Sequence, residues 1–166
     1  VTGASSGIGA AFTSSLVAKG AKVYGLARNL DSLKATEDRF GDAFIPVPMD
    51  ITDQKEIAKW ITNTFSDAHS PDILINNAGA GFFSKIDELP LEQWHRMINT
   101  NLNGIFYITS QLVPFMKRNK GTCHIINIGS ILGKIGKAKS SAYCATKFGI
   151  LGFSEALYQE LRYDKI

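Results

Sequence analysis

Apolar runs of strand length alternate along the chain with segments whose apolar residues recur at helical spacing. Val23-Tyr24-Gly25-Leu26-Ala27, Ala43-Phe44-Ile45-Pro46-Val47, Ile73-Leu74-Ile75-Asn76 and His124-Ile125-Ile126-Asn127-Ile128 read as strands. Such short, nearly continuous apolar runs suit parallel strands covered on both faces. Helices are predicted between them: from near Gly7 to Lys19-Gly20, from Asp31 to Phe40-Gly41, and after Thr52-Asp53-Gln54. In the third, Ile57, Trp60, Ile61 and Phe65 form an i, i+3, i+4, i+8 stripe. A longer helix runs from Pro90 to Arg118, bent or interrupted near Asn99–Gly104 and at Pro114, and the last covers Ser141 to Tyr163. This order implies a doubly wound parallel sheet with right-handed crossovers in three layers, α/β/α. Ligands of such sheets bind beyond the carboxyl ends of the strands.

Composition narrows the class. The chain has 166 residues, 45% hydrophobic and 20% charged, with a net charge of +3. That describes a single globular domain over residues 1–166 and excludes a disordered chain. No apolar run approaches the ~20 residues of a membrane span. No signal or transit segment opens the sequence, and Cys123 and Cys144 lie outside any CxxC pattern. A cytoplasmic, reducing location is expected, with both cysteines buried. His69, His95 and His124 are too scattered to suggest a metal site, and His124 is expected to be packed or capping.

Charge is uneven along the chain. Residues 1–83 carry 7 basic and 9 acidic groups, residues 84–166 carry 11 and 6. Lys134, Lys137 and Lys139 contribute to that excess, either as a solvated loop or as a patch for an acidic substrate or carrier. No dense basic face with interleaved aromatics points to nucleic acid.

The candidate chemistry falls where the sheet would place it. Thr2-Gly3-Ala4-Ser5-Ser6-Gly7-Ile8-Gly9 turns into the first helix with glycines at 3, 7 and 9. Glycine permits a tight turn and close approach of a ligand, and the free N–H groups of the helix start attract a pyrophosphate. Arg28 follows Ala27, the place where an acid would bond a ribose 2′-hydroxyl. A basic residue there favours a 2′-phosphate, hence NADP(H), with NAD(H) still open. Tyr143 and Lys147 are one helical turn apart and share a face. A lysine ammonium beside a phenol favours the phenolate and brings its pKa down from about 10. Ser130 directly follows the last strand, a position that equally fits a turn or a helix cap.

In this arrangement the sequence resembles the short-chain dehydrogenases/reductases, in their TGxxxGxG form rather than the TGxxGxxG form of epimerase-type relatives. Asp50, with Ile51 beside it, matches the acid that contacts adenine. Asn76-Asn77-Ala78-Gly79 matches the NNAG motif, Asn101-Leu102-Asn103-Gly104 the Asn-bearing helix motif, and Ser130, Tyr143 and Lys147 the active-site Ser and YxxxK. The resemblance implies a Rossmann-like fold with Gly3, Ser5, Ser6, Gly7, Ile8, Gly9, Arg28, Asp50, Ile51, Asn77, Ala78, Gly79, Tyr143 and Lys147 around the cofactor. It also implies an activity: hydride transfer between a nicotinamide and a carbonyl or secondary alcohol. Tyr143 would exchange a proton with the substrate oxygen, which Ser130 holds. Lys147 would bind the ribose and tune Tyr143, and Asn101 would support a proton-relaying water.

Three further expectations follow from the resemblance. The domain is incomplete at both ends, lacking most of its first strand and a C-terminal substrate region. The helices around 91–118 and 141–163 resemble those that pair in a homodimer or homotetramer. The substrate is a small carbonyl or alcohol, a 3-oxoacyl thioester among the candidates. A nucleotide-binding scaffold or sensor without turnover is the alternative function.

Overall fold

The computed structural model describes residues 1–166. Its strands are β1 (Val23–Ala27), β2 (Phe44–Pro48), β3 (Ile73–Asn76) and β4 (His124–Asn127). Its helices are α1 (Gly7–Ala18), α2 (Leu30–Phe40), α3 (Gln54–Thr64), α4 (Leu91–Ile98), α5 (Gly104–Arg118) and α6 (Ser141–Leu161). β1 pairs in parallel with β2, and β3 with β4. Residues 1–2 join the two pairs. The Leu26 N–H donates to the Val1 carbonyl at 2.8 Å and the Thr2 N–H to the Ile75 carbonyl at 3.0 Å. The spatial order is therefore β2, β1, the Val1–Thr2 segment, β3, β4, the doubly wound parallel arrangement expected.

The core explains why these segments form these elements. Leu26, Val47 and Leu74 of the sheet pack with Ile57 and Ile61 of α3 and with Ile108, Leu112 and Met116 of α5. Each such side chain contributes roughly 1.5–3 kcal/mol when fully buried. A smaller cluster gathers Val23, Ala27 and Phe44 with Ala4 and with Leu33 of α2. Side-chain caps fix the starts of α2 and α3. Asp53 accepts from the Lys55 and Glu56 amides at 2.9 Å, and Asn29 from the Ser32 amide at 2.9 Å.

The helix predicted over 90–118 breaks at one of the two expected places. Residues Asn99–Asn103 form a π turn between α4 and α5. Pro114, the other expected bend, lies inside α5, which runs on to Arg118. Its missing N–H and ring clash cost a free helix about 3 kcal/mol. Here Leu112 and Met116, on either side, are anchored in the core and hold both halves in register. One other expectation fails: His124 opens β4 with its side chain exposed rather than packed. The last helix runs over Ser141–Leu161, close to its expected span, with Leu161 buried and Tyr163 in solvent. Cys123 and Cys144 are both buried and unpaired. No helix is long and apolar enough to cross a membrane.

Candidate active site

The glycine-rich turn carries the chain from residues 1–2 into α1, and its shape depends on backbone approaching backbone. Gly3 has φ +65, and a Cβ on it would lie 2.9 Å from Asn77 Nδ2 and 3.0 Å from Ala78 Cα. A Cβ on Gly9 would fall onto the Gly3 carbonyl. Only glycine lets the first turn of α1 fold back this closely. The loop is sewn to the turn after β3. Thr2 Oγ1 accepts from the Asn77 and Ala78 amides at 3.0 and 2.9 Å, and Asn77 Nδ2 donates to the Thr2 carbonyl at 3.0 Å. Thr2, central to this join, was not among the expected site residues. A threonine inside a glycine-rich motif carries no sequence signal of bonds made 75 residues away.

A cavity of about 270 Å³ opens above these turns. Gly3, Ser5 and Ser6 form one wall, Arg28 with Asn29 a second, and Asp50, Ile51, Ala78 and Gly79 the rest. Leu26, Ala27, Met49 and Thr100, none of them an expected site residue, complete the lining. Of the other residues expected around the cofactor, Gly7, Ile8, Gly9 and Asn77 lie outside this lining; Gly9 and Asn77 pack against Gly3, and Ile8 is exposed. Asp50 is pinned by its own turn, accepting at Oδ1 from the Thr52 amide and hydroxyl at 2.9 Å each. Arg28 is exposed and makes no ion pair, so its guanidinium is free at the mouth.

The second part of the site lies at the carboxyl end of β4 and on α6. Ser130 is extended (φ −159, ψ 157) and caps a short 3₁₀ turn, its Oγ accepting from the Leu132 amide at 3.2 Å. Of the readings its position allows, the helix cap is the one this hydrogen bond shows. Tyr143 is half-buried, its ring 5.4 Å from that of Phe83. Lys147 is 7% exposed and its Nζ lies 5.8 Å from the Tyr143 ring centroid. Nζ donates to the Ile128 carbonyl at 2.7 Å. Burial pushes the lysine below its usual 10.5, because desolvation penalises the ammonium. Beneath this end of the sheet, Asn76 Nδ2 donates to Thr109 Oγ1 and Asn127 Oδ1 at 3.1 and 2.8 Å, which braces β3 against α5 and β4.

Asn101 sits in the π turn, 1% exposed. Its Oδ1 accepts from the Ala80 amide at 2.7 Å, and its Nδ2 donates to the Ala80 carbonyl at 2.8 Å and to Thr146 Oγ1 at 3.0 Å. The side-chain amide is thus engaged with protein on both donors. No group of three or more His, Cys, Asp or Glu residues gathers anywhere in the structure.

Comparison with known proteins agrees with this geometry. A 2-dehydro-3-deoxy-L-rhamnonate dehydrogenase (NAD(+)) of Sphingomonas sp. (strain SKA58) is 37% identical over 162 residues, 97% of this chain and 64% of that protein. A 3-oxoacyl-(acyl-carrier-protein) reductase of Salmonella typhimurium is 36% identical over 97% of this chain and 66% of its own length. The chain therefore spans slightly under two thirds of these curated relatives. A metagenomic short-chain oxidoreductase solved in complex with NADP superposes with a TM-score of 0.92 at 35% identity, over 99% of this chain and 76% of that one. The pattern described as short chain dehydrogenase matches residues 1–166. With its glycine turn, NNAG turn and Ser–Tyr–Lys set on the parallel sheet that the fold requires, the chain belongs to the short-chain dehydrogenase family.

Proposed function

We propose that the protein is an NADP(H)-dependent oxidoreductase that interconverts a carbonyl and a secondary alcohol. One observation carries the reading: a buried lysine ammonium one helical turn from a half-buried tyrosine, at the strand end that also presents Ser130. A lysine there would serve a nucleotide scaffold as well, since it can hold a ribose; what a scaffold has no use for is its pairing with Tyr143 at the strand end that presents Ser130.

The residues fit the cofactor. The cavity wall at Gly3, Ser5 and Ser6 lies at the N-terminal end of α1, whose free amides and dipole suit a pyrophosphate. Unpaired Arg28 at the mouth suits a 2′-phosphate, and the solved relative in complex with NADP supports the same preference, with NAD(H) the weaker ligand. When bound, the nicotinamide supplies or accepts the hydride. Tyr143 gives a proton to the substrate oxygen in reduction and takes it back in oxidation. Ser130 donates a hydrogen bond to that oxygen. Lys147 would favour the phenolate of Tyr143 and hold the nicotinamide ribose, and Asn101, its side-chain amide committed to Ala80 and Thr146, would support a proton-relaying water through its backbone.

A 3-oxoacyl thioester is one substrate in this class. The Salmonella relative named above is a reductase of that kind, and exposed Lys134, Lys137 and Lys139 suit an acidic carrier. Exposed Leu91, Phe106 and Phe148 on α4, α5 and α6 support a homodimer or homotetramer. Free, buried cysteines suit the reducing cytoplasm.

The test is fluorescence titration of the full-length protein with NADPH and NADH, followed by turnover on ethyl 3-oxobutanoate, a 3-oxoacyl N-acetylcysteamine thioester and a keto-sugar acid. Tighter NADPH binding and reduction of at least one compound are expected. Binding without turnover on any of them would put the scaffold reading first.

A further inference from the structure

We infer that Thr146 is a positioning residue for Tyr143, its hydroxyl locking the active-site turn of α6 to the π turn and to the Ala80–Gly81 loop. The inference rests on the assignment of Tyr143 as the acid and base. Thr146 is fully buried at 0% exposure. Its Oγ1 donates to the Tyr143 carbonyl at 2.8 Å and accepts from Asn101 Nδ2 at 3.0 Å. A helical threonine often bonds a carbonyl three or four residues back, so the first bond alone means little. The second is different, because nothing in helix geometry requires an amide donor from another element at that hydroxyl.

The same Asn101 amide grips Ala80 through both its backbone N–H and its carbonyl. Ala80 adjoins Gly81, where a Cβ would lie 3.4 Å from Tyr143 Cδ2. The loop against the tyrosine ring and the helical turn that carries the tyrosine are therefore tied to one amide, and Thr146 is the tie on the helix side. The other nitrogen–oxygen side-chain hydrogen bonds that tie α6 to another element run from Lys147 to Ile128 and to Ser154 from Asn127, both on the β4 side. A hydroxyl is required because it donates and accepts at once. Valine has the same outline and does neither.

The test compares Thr146→Val and Thr146→Ser in the full-length protein, with NADPH and ethyl 3-oxobutanoate. Thr146→Val is expected to lower kcat about tenfold to a hundredfold, the scale of a small misplacement of a reacting group, with KM for NADPH unchanged. Thr146→Ser, which keeps the hydroxyl, is expected to restore kcat. A second readout needs no turnover: tyrosinate absorbance titrated against pH, with the Tyr143→Phe signal subtracted. A displaced phenol leaves its contact with the Gly81 loop and Phe83, so the curve should move in Thr146→Val and return in Thr146→Ser. A threonine of purely structural importance would lower Tm and move neither kcat nor the titration, and that result overturns the inference. If Thr146→Val does not fold, Thr146→Ala replaces it, since the space it leaves admits a water to the Asn101 amide. Should the wild type reduce no carbonyl compound, the functional reading fails on its own account. The titration then decides the positioning role, and an unshifted curve overturns it.

Discussion

The two halves of the site are made of different material. Around the 270 Å³ cavity the protein presents mostly backbone: glycine turns, free amides at the start of α1, and the NNAG turn stitched to Thr2. Its one free cation, Arg28, stands in solvent at the mouth. On α6 and the π turn the site is built from buried polar side chains, Lys147, Asn101 and Thr146, each held by named partners. Backbone amides cannot be mutated away, so the first half is sensitive to shape. The second half is sensitive to individual atoms, because each polar group there has been taken out of water and depends on a specific partner. A rim charge such as Arg28 keeps its hydration and costs folding little, whereas burial of Lys147 disfavours its ammonium.

The largest expected effect breaks the two halves apart. Tyr143→Phe should lower kcat by about 10²–10⁴-fold, the usual worth of a general acid or base, while NADPH titration stays close to wild type. Parallel loss of binding and turnover would merge the halves and contradict the assignment. Next is Gly9→Val, which drives a side chain into the Gly3 carbonyl and Asn77. It should cost about 1–3 kcal/mol in urea unfolding and weaken both dinucleotides together, as a fault of shape. Arg28→Asp is smaller and selective. NADPH should weaken about tenfold or more through loss of a charge-assisted contact, with NADH nearly unaffected. Equal losses would show that Arg28 reads no phosphate.

The smallest effect tests the cost of the buried cation. Because burial lowers Lys147 below 10.5, the folded chain binds fewer protons than the unfolded chain between that lowered value and 10.5. The destabilisation from Lys147 is complete at lower pH and is relieved as pH rises through that window. Relative to Lys147→Met, the wild type should gain stability in the alkaline range, by at most about 1.4 kcal/mol per pH unit. A flat or falling difference in urea unfolding would mean that the ammonium is not desolvated.

Much of this molecule is legible in one dimension. The strand at Val23–Ala27 needs only its apolar run, and the helix at 54–64 only its Asp53 cap and the Ile57–Ile61 spacing. Tyr143 and Lys147 share a face because a helix turn fixes it, whatever surrounds them. The residues that escaped prediction are those whose importance is a long-range contact. Thr2, legible only as the start of the TGxxxGxG turn, bonds Asn77, and Thr146, in sequence an ordinary threonine, bonds Asn101. Pro114 reads as a break because local propensity is all the sequence offers, and it is overruled by Leu112 and Met116 in the core. His124 occupies the predicted strand start, but whether that position faces packing or solvent depends on what lies beside β4.

By itself the sequence determined the order of elements, the glycine turn, the pairing of Tyr143 with Lys147 and the family, since all depend on spacing along the chain. Tertiary structure decided how the strands come together, that Arg28 is left without an acidic partner, that Lys147 is desolvated, and that the Asn101 amide serves as a clamp. Desolvation and hydrogen-bond partnership are properties of neighbours in space, and neighbours 45 or 75 residues apart leave no mark on the pattern between them.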